Sequence, residues 1–206
     1  MSEETTVKYP VIDAIQSRRS LRRYQQKPVP KSIIETLLTA GTWSPSAHNR
    51  QPWRFTVLQA FEIKATLARA MGERLQRDLA SDFVPQAIID KEVKRSYERL
   101  TSAPVLIVIC MSLIDMDTYS DEKRNNNEKI MAIQSTAMAG QNILLAAHDM
   151  ELGACWMCAP LFCPDVVQTA LDLPEDWHAQ GIITLGYPAQ TREKTREALE
   201  KRVIWR

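Results

Sequence analysis

The sequence predicts one globular domain in which strands alternate with helices, as either an α/β or an α+β arrangement of layers. The length of 206 residues fits one large domain. An apolar fraction of 45% with 25% charged residues is typical of a chain that folds around an apolar core. Short apolar runs alternate along the chain with longer segments of helical periodicity, and the predicted helices outnumber the strands.

The first part of the chain predicts two helices joined by an extended segment. Residues 10–19 form the first helix. Its apolar face consists of Val11, Ile12 and Ile15. Residues 27–30 are extended, because each of their two prolines disfavours helical geometry in the preceding residue. The second helix begins at Pro30 and ends near Gly41, with apolar residues recurring at helical spacing between them.

The middle of the chain predicts two strands and two helices. Residues 53–58 alternate between apolar and polar side chains, as in a strand with one buried face. Residues 62–79 and 85–100 have helical periodicity, and the second segment is charged enough to lie on the surface. Residues 105–110 are a run of apolar, mostly β-branched residues, which predicts a central strand covered on both faces.

The last part of the chain predicts one long helix and three short elements. Residues 121–129 are either a solvated loop or the start of a helix. Residues 130–150 are apolar nearly all round, which predicts the core helix of the domain. Two short strands at residues 154–157 and 181–185 enclose a helix at residues 164–171.

Charge and hydropathy exclude several classes of partner. The net charge of +1 provides no general attraction for nucleic acid or for an anionic membrane. The longest apolar stretch, residues 103–111, is much shorter than a membrane-spanning helix. Residues 1–6 are polar and acidic, unlike the basic and apolar start of a secretory signal. We therefore expect a cytoplasmic protein with no nucleic acid and no membrane as partner.

The four cysteines raise the question of a metal site. They are Cys110, Cys155, Cys158 and Cys163. A zinc site needs a fourth ligand beside the three clustered thiols, and the three histidines form no paired motif. Free cysteine is among the most frequently buried residue types. We expect buried thiols and no metal.

Common catalytic signatures are missing from the sequence. It contains no glycine-rich dinucleotide or phosphate loop, no nucleophile elbow of a hydrolase and no paired histidines of a metalloprotease. No nucleophile and base pair is evident either. A catalytic role is therefore expected to depend on a bound organic cofactor and on no catalytic side chain.

One segment concentrates positive charge. Residues 14–34 contain six lysines and arginines and no acid, which leaves 20 basic against 25 acidic residues, or −5, elsewhere. Arg18, Arg19, Ser20 and Arg22 place guanidinium groups and a hydroxyl within reach of one anion, and guanidinium groups match phosphate oxygens two bonds at a time. The segment predicts either a phosphate site or a solvated basic face.

Three blocks carry a resemblance to a known family. They are Arg18-Arg19-Ser20-x-Arg22, the run from Ser44 to Phe55 with the pattern Ser-Pro-Ser-x-x-Asn-x-Gln-Pro-Trp, and Gly153-Ala154-Cys155-Trp156-Met157 with the later Leu185-Gly186-Tyr187-Pro188-Ala189. In this order and spacing the blocks resemble the nitroreductase-like FMN flavoproteins. The resemblance extends from about residue 12 to residue 188.

The resemblance implies a fold and an assembly. The fold is α+β, a three-layer arrangement with a central, mainly antiparallel sheet surrounded by helices. Residues 1–206 form a single domain, with a core at about residues 10–190 and a tail at residues 191–206. Two chains form an entwined homodimer.

The resemblance also implies roles for particular residues. Arg18, Arg19, Ser20 and Arg22 hold the phosphate and ribityl chain of FMN. The loop residues Pro45, Ser46, Ala47, Asn49 and Gln51 contact the flavin of the second subunit, while Trp53 packs. A backbone N–H near flavin N5 comes from Met157, Cys158 or Ala159. A late basic residue joins the phosphate site, and Arg196 is preferred over Arg192 and Lys194.

The implied activity is an FMN-dependent oxidoreductase. Hydride passes from NAD(P)H, either NADH or NADPH, to the flavin, and an electron-poor acceptor such as a nitroaromatic or quinone then takes the electrons in a ping-pong cycle. Two alternatives stay open. One is a specialised oxidoreductase of flavin or deazaflavin biosynthesis, because the ending from Arg196 to Arg206 resembles that branch of the family. The other is a non-enzymatic protein that binds FMN or another phosphate ligand.

Overall fold

The computed structural model describes residues 10–206. Within that range the chain forms six α-helices, four strands and three short 3-10 turns. The helices are α1 Pro10–Ser17, α2 Lys31–Thr42, α3 Phe61–Ser81, α4 Gln86–Thr101, α5 Glu122–Asp149 and α6 Pro164–Ala170. The strands are β1 Trp53–Leu58, β2 Val105–Met111, β3 Gly153–Met157 and β4 His178–Gly186. The 3-10 turns are Ala47–Asn49, Ala159–Phe162 and Leu199–Lys201.

The four strands form one sheet in the order β1-β2-β4-β3. Every neighbouring pair is antiparallel. The predicted α+β class with a mainly antiparallel sheet is therefore confirmed. Strand direction decides between α/β and α+β, and the spacing of elements along the sequence does not encode that direction.

Strand β2 is buried along its whole length, as its apolar run predicts. Leu106, Val108 and Cys110 belong to one apolar cluster, which includes side chains of α3 and α6. The intervening residues of β2 belong to a second cluster on the opposite face, together with side chains of α2 and α5. Because successive side chains of a strand point to opposite faces, this one strand supplies both halves of the core. The result is three layers.

Helix α5 is the long core helix, and it begins earlier than residue 130. Asp121 caps it, since its carboxylate accepts a hydrogen bond of 2.9 Å from the backbone N–H of Arg124. Residues 122–129 are thus helical, which decides between the two interpretations of that polar segment. A stripe of buried residues that includes Ala132, Ala139 and Ile143 packs α5 against α2 and the sheet.

Trp156 in β3 fixes the distance between the sheet and α5. Its indole lies against Gly140 of α5, where a Cβ atom would come within 2.8 Å of Cε3. It also lies against Gly181 of β4, where a Cβ would come within 2.6 Å of Cε2. Only glycine permits this approach at either position, because real Cβ atoms do not come so close to a neighbour. Trp156 immediately precedes the segment 157–159.

Most boundaries differ from the predictions by one to three residues. Helix α1 ends at Ser17, and its three apolar side chains are exposed in the single chain. Strand β4 begins at His178, three residues before the predicted start, and pairs with β2 through a register shift beside Cys110. Helix α6 ends at Ala170. Over residues 10–206, none of the helices combines the length and apolarity needed to cross a membrane.

Candidate functional site

The arginine-rich segment lies along the outer edge of β3. Ser20 forms an isolated bridge with Ala154, and the backbone N–H of Leu21 donates to the carbonyl of Ala154 at 3.1 Å. Tyr24 ends this segment, and its buried hydroxyl donates to the carbonyl of Thr184 in β4 at 3.0 Å. These bonds hold the segment rigidly against the sheet, so the flanking guanidinium groups have a fixed support.

Seven residues line a cavity of about 260 Å³ at this edge. Four of them, Arg18, Arg19, Ser20 and Arg22, belong to the arginine-rich segment. The other three, Arg192, Lys194 and Arg196, belong to the tail. We call this space the arginine cavity. Six of the seven lining residues are cationic and none is acidic, so the cavity attracts an anion.

Two guanidinium atoms of this segment lack partners, although Nη1 of Arg19 donates to the carbonyls of Gln16 and Arg18. Nη1 of Arg18 and Nε of Arg19 are buried and make no hydrogen bond. Burial lowers the pKa of Arg18, and the nearby charges of Arg196 and Arg19 lower it further. Buried polar atoms without partners are rare and usually mark a place for a ligand or ion. The arrangement fits a phosphate group, whose oxygens would accept from these N–H groups.

All four residues predicted to bind the phosphate therefore line one cavity together with Arg196. Arg192 and Lys194 line the same cavity, so the lining does not separate the three tail cations, and the preference for Arg196 stays a prediction.

A second cavity, of about 320 Å³, lies beside the first. Its lining includes Met157, Cys158 and Ala159, the predicted donors, together with Arg22, Ser96, Arg99, Leu100 and Trp156. We call it the ring cavity. Arg22 lines both cavities, so they are neighbours on either side of its side chain.

Ser96 and Arg99 of α4 are site residues that the sequence pattern does not reveal. Burial lowers the pKa of Arg99, and the charges of Arg95 and Arg22 lower it further. The sequence of α4 shows the many charges of a surface helix. The small polar Ser96 one turn before Arg99 is a weak signal, and only the packing of α4 shows that both face the ring cavity.

The predicted donor segment connects β3 to a 3-10 turn. Ala159 opens that turn, so its N–H has no partner within the turn. The indole N–H of Trp156 donates to Sγ of Cys158 at 3.1 Å. Because the indole of Trp156 packs between Gly140 of α5 and Gly181 of β4, these two elements fix the position from which the donor segment continues.

The loop at residues 44–52 has a tightly constrained backbone. Ser46 Oγ accepts from the N–H of Gln51 at 3.0 Å, and the N–H of Ala47 donates to Ser135 of α5 at 3.3 Å. His48, Asn49 and Gln51 have φ angles of 50°, 54° and 49°. Left-handed backbone at residues other than glycine costs about 1–3 kcal/mol each and clusters at functional sites.

The structure does not bring this loop to the arginine cavity of the same chain. The loop precedes β1 at one edge of the sheet, whereas the arginine segment lies beyond β3 at the other. The two occupy diagonally opposite corners, roughly 28 Å apart, from six residues along the strands at about 3.4 Å each and four strand steps at about 4.8 Å each. Pro45, Asn49 and Gln51 are exposed, with Ser46 and Ala47 half-buried.

The cysteines differ in accessibility. Cys110, Cys155 and Cys163 are buried, and Cys158 is exposed. Burial raises the pKa of all three buried thiols, that of Cys110 to about 12. Across the described residues, no three His, Cys, Asp or Glu side chains are grouped as metal ligands. The buried thiols are packing residues.

Comparison with known proteins gives a consistent result. Residues 15–187 match the model of the Nitroreductase family. A protein of Methanothermobacter thermautotrophicus, assigned as an NADH dehydrogenase or NAD(P)H nitroreductase, is 31% identical over 89% of this chain and 80% of its own length. An NADH dehydrogenase of Thermus thermophilus is 28% identical over 96% of this chain and 98% of its own length. A solved structure from Desulfovibrio desulfuricans is assigned as a nitroreductase in complex with FMN. It has a TM-score of 0.74 and 26% identity, and the match covers 97% of this chain and 98% of that one.

Proposed function

The chain belongs to the nitroreductase family, and from that premise we propose that it is an FMN-dependent oxidoreductase. FMN bound at this site would take a hydride from NADH or NADPH and release the two electrons to an electron-poor acceptor such as a nitroaromatic or a quinone. The protein is proposed to act as a single domain, with a core at about residues 10–190 and a tail that completes the phosphate site.

The observation that carries the proposal is the pair of buried guanidinium atoms without partners, Arg18 Nη1 and Arg19 Nε. Desolvating an arginine without compensation is costly. A phosphate monoester offers three strong acceptor oxygens and about two negative charges. Such a group in the arginine cavity would satisfy both atoms, and Ser20 and Arg196 lie in the same lining to hold its other oxygens.

The ring cavity supports the flavin half of the proposal. Its backbone donors and its two cations, Arg22 and Arg99, line a cavity that adjoins the arginine cavity at Arg22. Positive charge and N–H groups near an isoalloxazine favour its reduced, anionic form. The relatives assigned as NAD(P)H nitroreductase and NADH dehydrogenase support a nicotinamide donor.

We further propose that the site is shared in a homodimer. The loop at residues 44–52 is too far from the arginine cavity of its own chain to complete it. Exposed apolar side chains lie on two helices, Val11, Ile12 and Ile15 on α1 and Ile130, Ile133 and Met138 on α5. Helix α1 lies beside the C-terminal end of α5, at least about 10 Å along the helix from the α5 group, so these are two separate groups. Exposed apolar groups on a folded chain support a protein interface.

The absorption spectrum of the purified protein tests cofactor and reaction together. We expect the absorption bands of bound flavin, with an intensity that corresponds to about one FMN per chain. These bands should bleach on anaerobic addition of NADPH or NADH and return when a quinone is added. A protein that is colourless after incubation with FMN and removal of the unbound flavin contradicts the proposal. A yellow protein that neither nicotinamide reduces contradicts the reductase and favours the biosynthetic or the non-enzymatic alternative.

A further inference from the structure

Arg54 of β1 binds the loop at residues 44–52 where that loop leads into the strand. Its Nη1 donates to the carbonyl of Gln51 at 3.1 Å and to that of Trp53 at 3.0 Å. Its Nη2 donates to Oδ2 of Asp115 at 3.0 Å. One guanidinium group thus joins the end of the loop to a carboxylate of the segment that follows β2.

The backbone of Gln51 is restrained on both sides. Its N–H donates to Oγ of Ser46, inside the loop, at 3.0 Å, and its carbonyl accepts from Arg54, outside the loop. Gln51 has the left-handed φ of 49°, which a residue with a side chain keeps only where its surroundings impose it. Ser46 restrains only the N–H side, so the direction of the carbonyl depends on Arg54.

The acidic loop, which we define as residues 112–117 after β2, is a fixed support for that guanidinium group. The backbone N–H of Ser112 donates to the carbonyl of Pro52 at 2.8 Å. Met116 is buried in an apolar cluster that includes a residue of α5. Asp115 directly precedes Met116, so its carboxylate projects from an anchored backbone.

A second ion pair repeats the arrangement. Arg50, inside the loop at residues 44–52, pairs with Asp117 of the acidic loop. Both this pair and the pair of Arg54 with Asp115 are partly exposed. Ion pairs of this kind contribute little to the stability of a fold. Their main physical effect is to restrict the direction of the backbone that they join.

We propose that Arg54 is a positioning residue for the flavin, with Asp115 as its orienting partner. By holding the carbonyl of Gln51, Arg54 keeps Asn49 and Gln51 directed at the flavin bound to the second copy of the chain. Arg54 acts through the loop backbone and not on the flavin itself. The inference rests on the proposed function, in which this loop completes the site of the partner subunit.

Titration of FMN into the apo-protein, followed by flavin fluorescence, measures the effect. Arg54→Met removes the charge-assisted bonds and should weaken FMN binding about tenfold or more. Arg54→Lys keeps the charge without the planar fork and should be intermediate. Arg74→Met is the matched control and should bind FMN as the parent does. Arg74 of α3 pairs with Asp165, and its side chain is 26% exposed, against 25% for Arg54.

Asp115→Asn tests the orienting partner. It should weaken FMN binding by up to about fivefold, the range of a partly exposed ion pair. Combined with Arg54→Met it should cause no further loss, because Asp115 acts through Arg54. No weakening in Asp115→Asn, or a further loss in the double variant, would overturn the role of Asp115.

Mixed dimers distinguish positioning from a general structural role. Two differently tagged chains, one with Arg54→Met and the other with Arg18→Ala, are co-expressed and purified as a mixed pair. The Arg54→Met chain keeps an intact arginine cavity and receives the parent loop from its partner, so one site of parent affinity should remain per dimer. With both substitutions in one chain and none in the other, no such site should remain, because the intact cavity then meets the altered loop.

Several results would overturn the inference. Equal FMN binding by Arg54→Met and Arg74→Met would show that the loop does not need Arg54. A parent site in the one-chain arrangement and not in the divided one would show that each loop serves its own chain. Loss of the parent site in both arrangements would show a structural defect of the Arg54→Met chain. Failure of the proposed function is distinguishable, because the parent protein itself would then not bind FMN, and the inference would fall with it.

Discussion

The contact between Gly140 and Trp156 predicts that one added methyl group will disturb both stability and the site. In Gly140→Ala, the new Cβ would come within 2.8 Å of Cε3 of Trp156. The indole has little room to move away, because it also packs over Gly181. A Cβ at that position would come within 2.6 Å of Cε2 of the same ring. Overpacking of this kind costs about 1–3 kcal/mol. Alanine in place of glycine within a helix returns up to about 1 kcal/mol.

The expected net effect is therefore a loss of about 1–2 kcal/mol in the free energy of unfolding. Gly72→Ala is the matched control, since it lies inside α3 and its Cβ would meet Val93 at an ordinary 3.4 Å. That variant should be as stable as the parent or up to about 1 kcal/mol more stable. Chemical denaturation measures the stability of both variants, from the shift in the denaturant concentration at the midpoint when the m-value is unchanged.

A double-mutant cycle links the effect to the indole. Trp156→Phe shortens the ring that meets residue 140, so the two substitutions combined should be less harmful than the sum of their separate effects, by about 1 kcal/mol. Gly140→Ala should also weaken FMN binding, because Trp156 directs the donor segment that follows it. A Gly140→Ala protein as stable as Gly72→Ala, with no coupling in the cycle, would refute the reasoning.

Three further predictions concern the thiols, the assembly and the charge of the site. A thiol reagent should modify only Cys158 in the folded protein, because burial protects the other three cysteines and raises their pKa; four reactive thiols before unfolding would contradict this. Co-expressed Arg18→Ala and Asn49→Ala chains should regain one flavin site per mixed dimer, and no recovery would argue against a shared site. Raising salt from about 0.05 to 0.5 M should weaken the binding of FMN and not of riboflavin, since screening acts on the phosphate; equal weakening of both is the contrary result.

The parts of the fold that follow from the sequence are those with a strong local pattern. The apolar run of β2 has no polar position to place at a surface, so burial on both faces is its only stable arrangement. The pattern underestimates the length of α5, because the asparagines and charges at its start are typical of loops. The Asp121 cap and a helix already packed along the sheet extend it to Glu122.

Other parts depend on contacts that no single segment encodes. The first three residues of β4 carry no strand pattern and are ordered by pairing with β2 across a register shift. The apolar side chains of α1 are exposed in the single chain, which the periodicity of that helix alone does not predict.

The candidate site shows the same division. The Arg18 to Arg22 block indicates its chemistry through residue type, whereas Arg99 enters the site only through the packing of α4. The folded structure brings all three tail cations to the cavity of this block, which their distance along the sequence does not predict.

The preference for FMN over riboflavin tests the central claim most directly, because the two ligands differ only in the phosphate. The account predicts that the parent protein binds FMN at least about 100-fold more tightly, from at least two charge-assisted hydrogen bonds. Arg18→Ala with Arg19→Ala should lose most of that preference and bind riboflavin as before, whereas Arg23→Ala, an exposed neighbour outside the cavity, should keep it. Equal affinity for the two ligands in the parent protein, or an unchanged preference in the double variant, would contradict the account.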